Sequence, residues 1–215
     1  DHLTECTAIC VSKSKSAENV TWLAQNWDWI SWQREAMVVL KHANLCTLAE
    51  AGMLAKIGVN AHGFAVGLNI LRSTEDGGSK LGAPVHIILR LLLERCDGIP
   101  AAHKWLMSCQ FSSSSNIMAA DASGRVASFE LSPRGAVMVS DTDGIVVHTN
   151  HFLSESFTDV EGNLGATLSS HPRFQCMTRI ASGWQTRSHR PGLDDLKRAL
   201  SDRSQGAGSI ARVPD

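Results

Sequence analysis

Hydrophobic and polar residues alternate over the first part of the chain and fall into helical spacing further on. Residues 7–11 and 20–25 alternate loosely around the polar stretch 12–19, which predicts a hairpin. Residues 36–41, 45–57 and 65–71 continue the pattern, with Asn60-Ala61-His62-Gly63 supplying turn chemistry before the last run. An antiparallel sheet is the simplest assembly of these segments. Residues 73–82 read as a polar, glycine-rich loop. Pro84 then opens a mostly buried helix over 85–95, ended by Asp97-Gly98, and Pro100 starts a shorter helix to Met107. After a serine linker at 112–115, strands are predicted at 117–120, 126–131, 136–139 and 145–148, separated by turns such as Ser123-Gly124 and Pro133-Arg134-Gly135, and these suggest a second antiparallel sheet. Helical spacing returns with Phe174, Met177 and Ile180, and again with Leu193, Leu196 and Leu200 on one face of 191–202. The order strands, helices, strands, helices predicts an α+β domain in which two sheets stack and helices cover their outer faces.

Composition narrows the partners. At 215 residues, 43% hydrophobic, the chain can bury one substantial core, and we read one domain. Twenty Lys and Arg against 21 Asp and Glu leave a formal charge of −1 without a basic run, which argues against nucleic acid or an anionic membrane surface as partner. The most apolar run, 85–93, is short, is interrupted by His86 and Arg90, and cannot span a bilayer. Cys6, Cys10, Cys46, Cys96, Cys109 and Cys176 form no CxxC pair or regular framework, and most of them read as free, buried thiols. The histidines show no HExxH or zinc-finger spacing. His148 and His151 would share a face only on a helix, yet they follow a strand-like run, so no metal site is expected. Localisation stays open, although a free catalytic thiol is compatible with a reducing cytosol.

Read alone, Cys6 is a small residue of a commonly buried type at the start of an edge strand, and Cys10 shares its sheet face. Glu5-Cys6-Thr7 is followed, however, by Gln25-Asn26-Trp27-Asp28, Glu50-Ala51-Gly52, Lys56-Ile57-Gly58-Val59-Asn60, Pro84-Val85-His86-Ile87, Val147-His148-Thr149-Asn150-His151 and Ser209-Ile210-Ala211-Arg212. In this order the segments resemble the acyl-coenzyme A:isopenicillin N acyltransferase (6-aminopenicillanic acid acyltransferase) family, a branch of the cysteine N-terminal-nucleophile (Ntn) hydrolases. The similarity runs from Cys6 to Arg212. It implies an αββα four-layer sandwich, made as a precursor and cut between Glu5 and Cys6. Residues 1–5 are then the remnant of an upstream segment that remains as a subunit. Residues 6–215 are the catalytic domain, shortened at its C-terminus, where the family continues into further strands.

The implied chemistry is self-contained. A thiol needs a base to become a thiolate, and a freed α-amine with a pKa near ~8 can serve. Cys6 would supply both nucleophile and base, forming an acyl-thioester and cleaving or transferring a small-molecule acyl amide. No cofactor is implied; a coenzyme A thioester would enter only as an acyl-donor substrate. Hydrolase and transferase share these residues, and hydrolysis of a small N-acylated amine needs no acceptor site. Asp28 would hold the α-amine or the reacting end of the substrate, with an ordinary capping role as the alternative. Asn150 would donate to the developing oxyanion, against the alternative of a turn residue. Arg212 would hold a carboxylate, against an exposed terminal arginine. Trp27 and Trp29, in a region shared with Trp22 and Trp32, and Thr7 complete the candidate substrate contacts. Glu5 stands where the penicillin-pathway enzymes have glycine, which changes how the scissile peptide can bend. Two rivals remain: an unprocessed, inactive ligand-binding or interaction module of the same fold, and metal-dependent hydrolysis through the histidines.

Overall fold

A computed structural model of the chain describes residues 5–29, 31–78, 81–162 and 169–211. Six strands come first: β1 (Glu5–Val11), β2 (Trp22–Asp28), β3 (Met37–His42), β4 (Leu45–Glu50), β5 (Ile57–Asn60) and β6 (Ala65–Ile70). Helices α1 (Val85–Arg95) and α2 (Ile99–Leu106) follow, then β7 (Ser115–Ala120), β8 (Val126–Ser132), β9 (Gly135–Val139) and β10 (Ile145–His148). Helices α3 (Ser170–Thr186) and α4 (Leu193–Leu200) complete the order.

The strands form two antiparallel sheets, one ordered β10-β1-β2 and one ordered β3-β4-β5-β6-β7-β8-β9. Sheet membership therefore does not follow the two halves of the chain, as the local pattern suggested. Strand β10, from the second half, pairs with β1, and β6 joins β7 across the helical segment, with Asn69 opposite Asn116. Alternation fixes which side of a strand is apolar but not which strand lies next to it. The predicted run 45–57 is also two strands, because Gly52 at φ +91° turns the chain and folds β5 back on β4.

Four layers result. Helices α1 and α2 cover the seven-stranded sheet through Ile88, Leu89, Leu92, Leu93 and Leu106, which pack on Phe64, Val66, Leu68, Ile117 and Phe129. Helices α3 and α4 cover the three-stranded sheet through Met177, Trp184 and Leu196 against Ile9, Val11 and Ile145. Between the sheets lies a thin seam of Ala8, Cys10, Met118, Ala120, Val126 and Val146. Close approach needs small residues there: a Cβ built on Gly67 would lie 2.8 Å from Gln25 Oε1. The architecture is the expected αββα sandwich. Among the described residues, no helix is long and apolar enough to cross a membrane.

Candidate active site

Strand β1 is buried on both faces, and its alternation decides what each side chain can reach. Ala8 and Cys10 pack in the seam, so Cys6 shares that face and looks toward the larger sheet. Glu5 and Thr7 turn the other way, toward α3. Pairing with β2 sets Cys6 opposite Trp27 and Glu5 opposite Asp28. Cys6 lines a small pocket of about 70 Å³ together with Trp27, Trp29, Gln33, Glu50, Lys56 and His86.

The turn after β10 brings Asn150 to Cys6. This turn is held from two sides. Glu130 accepts from the backbone N–H groups of Leu153 (2.6 Å) and Ser154 (3.0 Å) and contacts His148 Nε2 at 2.9 Å. From the start of α3, the Ser170 hydroxyl oxygen accepts from the Asn150 N–H at 2.8 Å. Asn150 Oδ1 then accepts from the Cys6 N–H at 2.7 Å, and Asn150 Nδ2 donates to Ile70 O at 2.9 Å. Burial pushes the Cys6 thiol up to about 11; a backbone hydrogen bond from Ile70, the Arg173 charge and the Asn150 amide partly oppose this. A thiol so placed stays protonated at neutral pH until a nearby base takes its proton.

One pocket wall carries charge. Lys56 Nζ pairs with Glu50 at 2.5 Å and sits 3.3 Å above the centre of the Trp27 ring, which is stacked on Trp29. Burial pushes Lys56 down, against the pull of Glu50. Glu50 also accepts from Gln33 Nε2 at 2.5 Å. Gln33 Oε1 and His86 Nδ1 are buried and have no hydrogen-bond partner among the described residues. The wall thus offers a substrate a cation, an aromatic face and unused polar atoms.

Behind Cys6, on the α3 side, Arg173 is fully buried. It donates to Cys6 O, to Thr7 Oγ1 at 2.9 Å, to Asn150 Oδ1 at 2.9 Å and, through Nε, to Ser169 Oγ at 3.0 Å. Ser169 Oγ donates in turn to Glu5 at 2.6 Å. Asp28 shares this charged region, and burial raises its carboxyl to about 6 while Arg173 holds it down. A carboxyl raised above its ordinary 3.8 favours the fold when protonated. That stabilisation is complete below the ordinary value and is lost as pH rises through the folded one. Asp28→Asn, which cannot ionise, is therefore expected to melt above wild type at about pH 8, with the gap closing through about pH 6 and constant below about pH 4. Melting curves of both chains across that range check it.

The fold thus gathers Glu5, Cys6, Trp27, Asp28, Trp29 and Asn150. Thr7 is near but faces α3 and is held by Arg173, so it does not line the Cys6 pocket. Trp22 packs on the α3–α4 core instead, and Trp32 is 66% exposed. Arg212 lies outside the described residues. His148 contacts Glu130 and His151 contacts Ser170, both as parts of the loop support. Sequence reading assigned no role to Glu50, Lys56 or Arg173. The first two stood in the motifs Glu50-Ala51-Gly52 and Lys56-Ile57-Gly58-Val59-Asn60, but the turn that brings them together is not visible in the sequence as a contact. Arg173 left a clearer signal, a lone cation on the stripe Ser170, Arg173, Cys176, Met177, Ala181 and Trp184 that α3 buries.

A larger, open groove of about 390 Å³ lies elsewhere, along Lys13, Trp22, Leu23, Val59 and Asp121. Its carboxylate is already engaged by backbone N–H groups of Ile99, Ser123 and Arg125. The Cys6 pocket is the better candidate because it alone of the two joins a thiol to polar groups without partners.

Residues 15–213 match the sequence profile of the family described as acyl-coenzyme A:6-aminopenicillanic acid acyl-transferase. The match begins downstream of Cys6. The chain is 31% identical over 157 residues to the 40 kDa form of acyl-coenzyme A:6-aminopenicillanic-acid-acyltransferase from Emericella nidulans, covering 70% of this chain and 43% of that protein. It thus spans less than half the length of this curated relative. Among solved structures, a mutant conjugated bile acid hydrolase from Clostridium perfringens superposes with a TM-score of 0.60 at 11% identity, over 91% of this chain and 78% of that one. This likeness shows a common fold. Penicillin V acylase from Agrobacterium tumefaciens matches over 86% of this chain and 50% of its own, with a TM-score of 0.42 at 10% identity.

Proposed function

The chain belongs to the acyl-coenzyme A:6-aminopenicillanic acid acyl-transferase family, and from that premise we propose an autoprocessed amide hydrolase or acyltransferase with Cys6 as nucleophile. The observation that carries the reading is the Cys6–Asn150 contact. The thiol lines a pocket, while its own main-chain nitrogen is held at 2.7 Å by an amide whose other end adjoins the thiol.

In processing, Cys6 Sγ bonds to the Glu5 carbonyl carbon, the Glu5–Cys6 C–N bond breaks, and the thiol proton passes to the departing Cys6 nitrogen. Water then hydrolyses the thioester, leaving a carboxylate on Glu5 and a free α-amine on Cys6. In turnover, that amine takes the thiol proton and the thiolate adds to the substrate carbonyl. Asn150 Nδ2 donates to the oxygen as charge develops. The proton passes to the leaving amine as the C–N bond breaks, and water or an acceptor amine takes the acyl group from Cys6. The same thioester can be loaded from a coenzyme A thioester, with the coenzyme thiol as leaving group and no cofactor required. Trp27, Trp29 and Lys56 form the wall against which the substrate rests, and Asp28 orients the α-amine. Arg212 would hold a substrate carboxylate. We favour hydrolysis of a small N-acylated amine, since water needs no acceptor site.

A second reading, an inactive binding module, is favoured by one feature: Glu5 is itself buried and bonded to Ser169, so the uncut strand is well packed. Intact mass of the expressed full precursor separates the two. A split immediately before Cys6, absent in Cys6→Ala, is expected; wild type and variant both whole under native conditions would leave the binding module.

A further inference from the structure

We propose that Arg173 is a positioning residue for the nucleophile: its fork fixes the Asn150 amide and the Cys6 main chain in one geometry and sets a positive charge behind the thiol. The proposal deepens the Cys6 reading and rests on it.

The hydrogen-bond geometry requires the fork. An amide side chain can present either its oxygen or its nitrogen to a neighbour, and only its partners decide which. Here Asn150 Oδ1 faces two donors, the Cys6 N–H at 2.7 Å and Arg173 Nη2 at 2.9 Å. Nδ2 is thereby directed at Ile70 O and the thiol side. The guanidinium is fixed in turn by three further acceptors: Ser169 Oγ at 3.0 Å, Thr7 Oγ1 at 2.9 Å and Cys6 O. These four acceptors engage Nε, Nη1 and Nη2, all three nitrogens of the planar fork, which a lysine ammonium cannot reproduce.

The charge matters as well. A buried guanidinium is retained when anions offset it. The Glu5 carboxylate lies 3.9 Å away, and Asp28 and the Cys6 thiolate both favour the charged form. Burial lowers Arg173 to about 10, which leaves it a cation at neutral pH. By reciprocity the same charge lowers the Cys6 thiol. Arg173 touches neither the pocket nor a reacting atom, and acts through Asn150 and Cys6.

The test is the pH dependence of Cys6 alkylation by iodoacetamide, followed by peptide mass in wild type, Arg173→Gln and Arg173→Lys. Removing the charge is expected to move the Cys6 midpoint up by about one pH unit, giving roughly tenfold slower alkylation below it. Lysine keeps the charge without the fork, and its midpoint is expected between the other two. With an amide substrate, Arg173→Gln is expected to lower kcat with little change in KM. A purely structural role would lower the melting temperature and leave the midpoint unmoved. A wild-type midpoint in whichever variant folds therefore overturns the proposal. The two readings fail separately. A wild-type chain that stays uncut removes the nucleophile reading and with it the catalytic role of Arg173, while alkylation still reports whether residue 173 sets the Cys6 thiol. A cut chain whose Cys6 ignores residue 173 sinks only this one.

Discussion

Replacing Cys6 with alanine is expected to lower acyl turnover by about 10⁴-fold or more, since the covalent route then has no nucleophile. No second thiol can take over. Cys10 shares the Cys6 face of β1 but is sealed in the seam between the sheets, where burial pushes its thiol up. Among the described residues lining the pocket, Cys6 is the one cysteine. The fold should tolerate the change, because the side chain is small and alanine keeps the main-chain bonds of this position to Asn150 and Arg173. Steady-state rates with an amide substrate, read beside melting curves, check this. An alanine variant within tenfold of wild type would remove Cys6 from the chemistry.

Asn150→Ala is expected to cost about 10²–10³-fold in kcat, the usual effect of removing one oxyanion donor. It should also destabilise the chain. The truncation leaves the buried Cys6 N–H and one Arg173 N–H unpaired, at about 1–3 kcal/mol for each lost partner. Asn150→Asp separates the two effects, because it keeps an oxygen toward both donors and loses only the N–H groups. Its turnover should therefore fall as in the alanine variant while its melting temperature stays higher than that variant's. If Asn150→Asp retains near wild-type kcat, the amide donor has no part in catalysis.

Much of the fold was legible in the sequence because the relevant signals are local. Pro84 and Asp97-Gly98 bracket α1, and the spacing of Ile88, Leu89, Leu92 and Leu93 gives it one buried side. Strands β7 to β10 fall close to their alternating runs. The apolar run at 45–57 hid a reversal, since Ala51-Gly52 was read as part of the run rather than as the bend that Gly52 makes. The tryptophans divided for a similar reason. Trp27 and Trp29 lie two apart and share a pocket wall, whereas Trp22 packs on the helices and Trp32 lies largely in solvent.

The sequence by itself determined most of the elements and their layering, because these depend on residue type at short spacing, and its ordered motifs, through a family resemblance, pointed to Cys6 and Asn150 as candidates. Tertiary structure decided the rest. It set β10 beside β1, which carries Asn150 across 144 positions to the Cys6 nitrogen. It folded β5 against β4 so that Lys56 meets Glu50 over Trp27, and it turned Arg173 inward rather than to solvent. Alternation along a strand dictates a side, but pairing between strands depends on contacts between distant segments that form only as the sheets close.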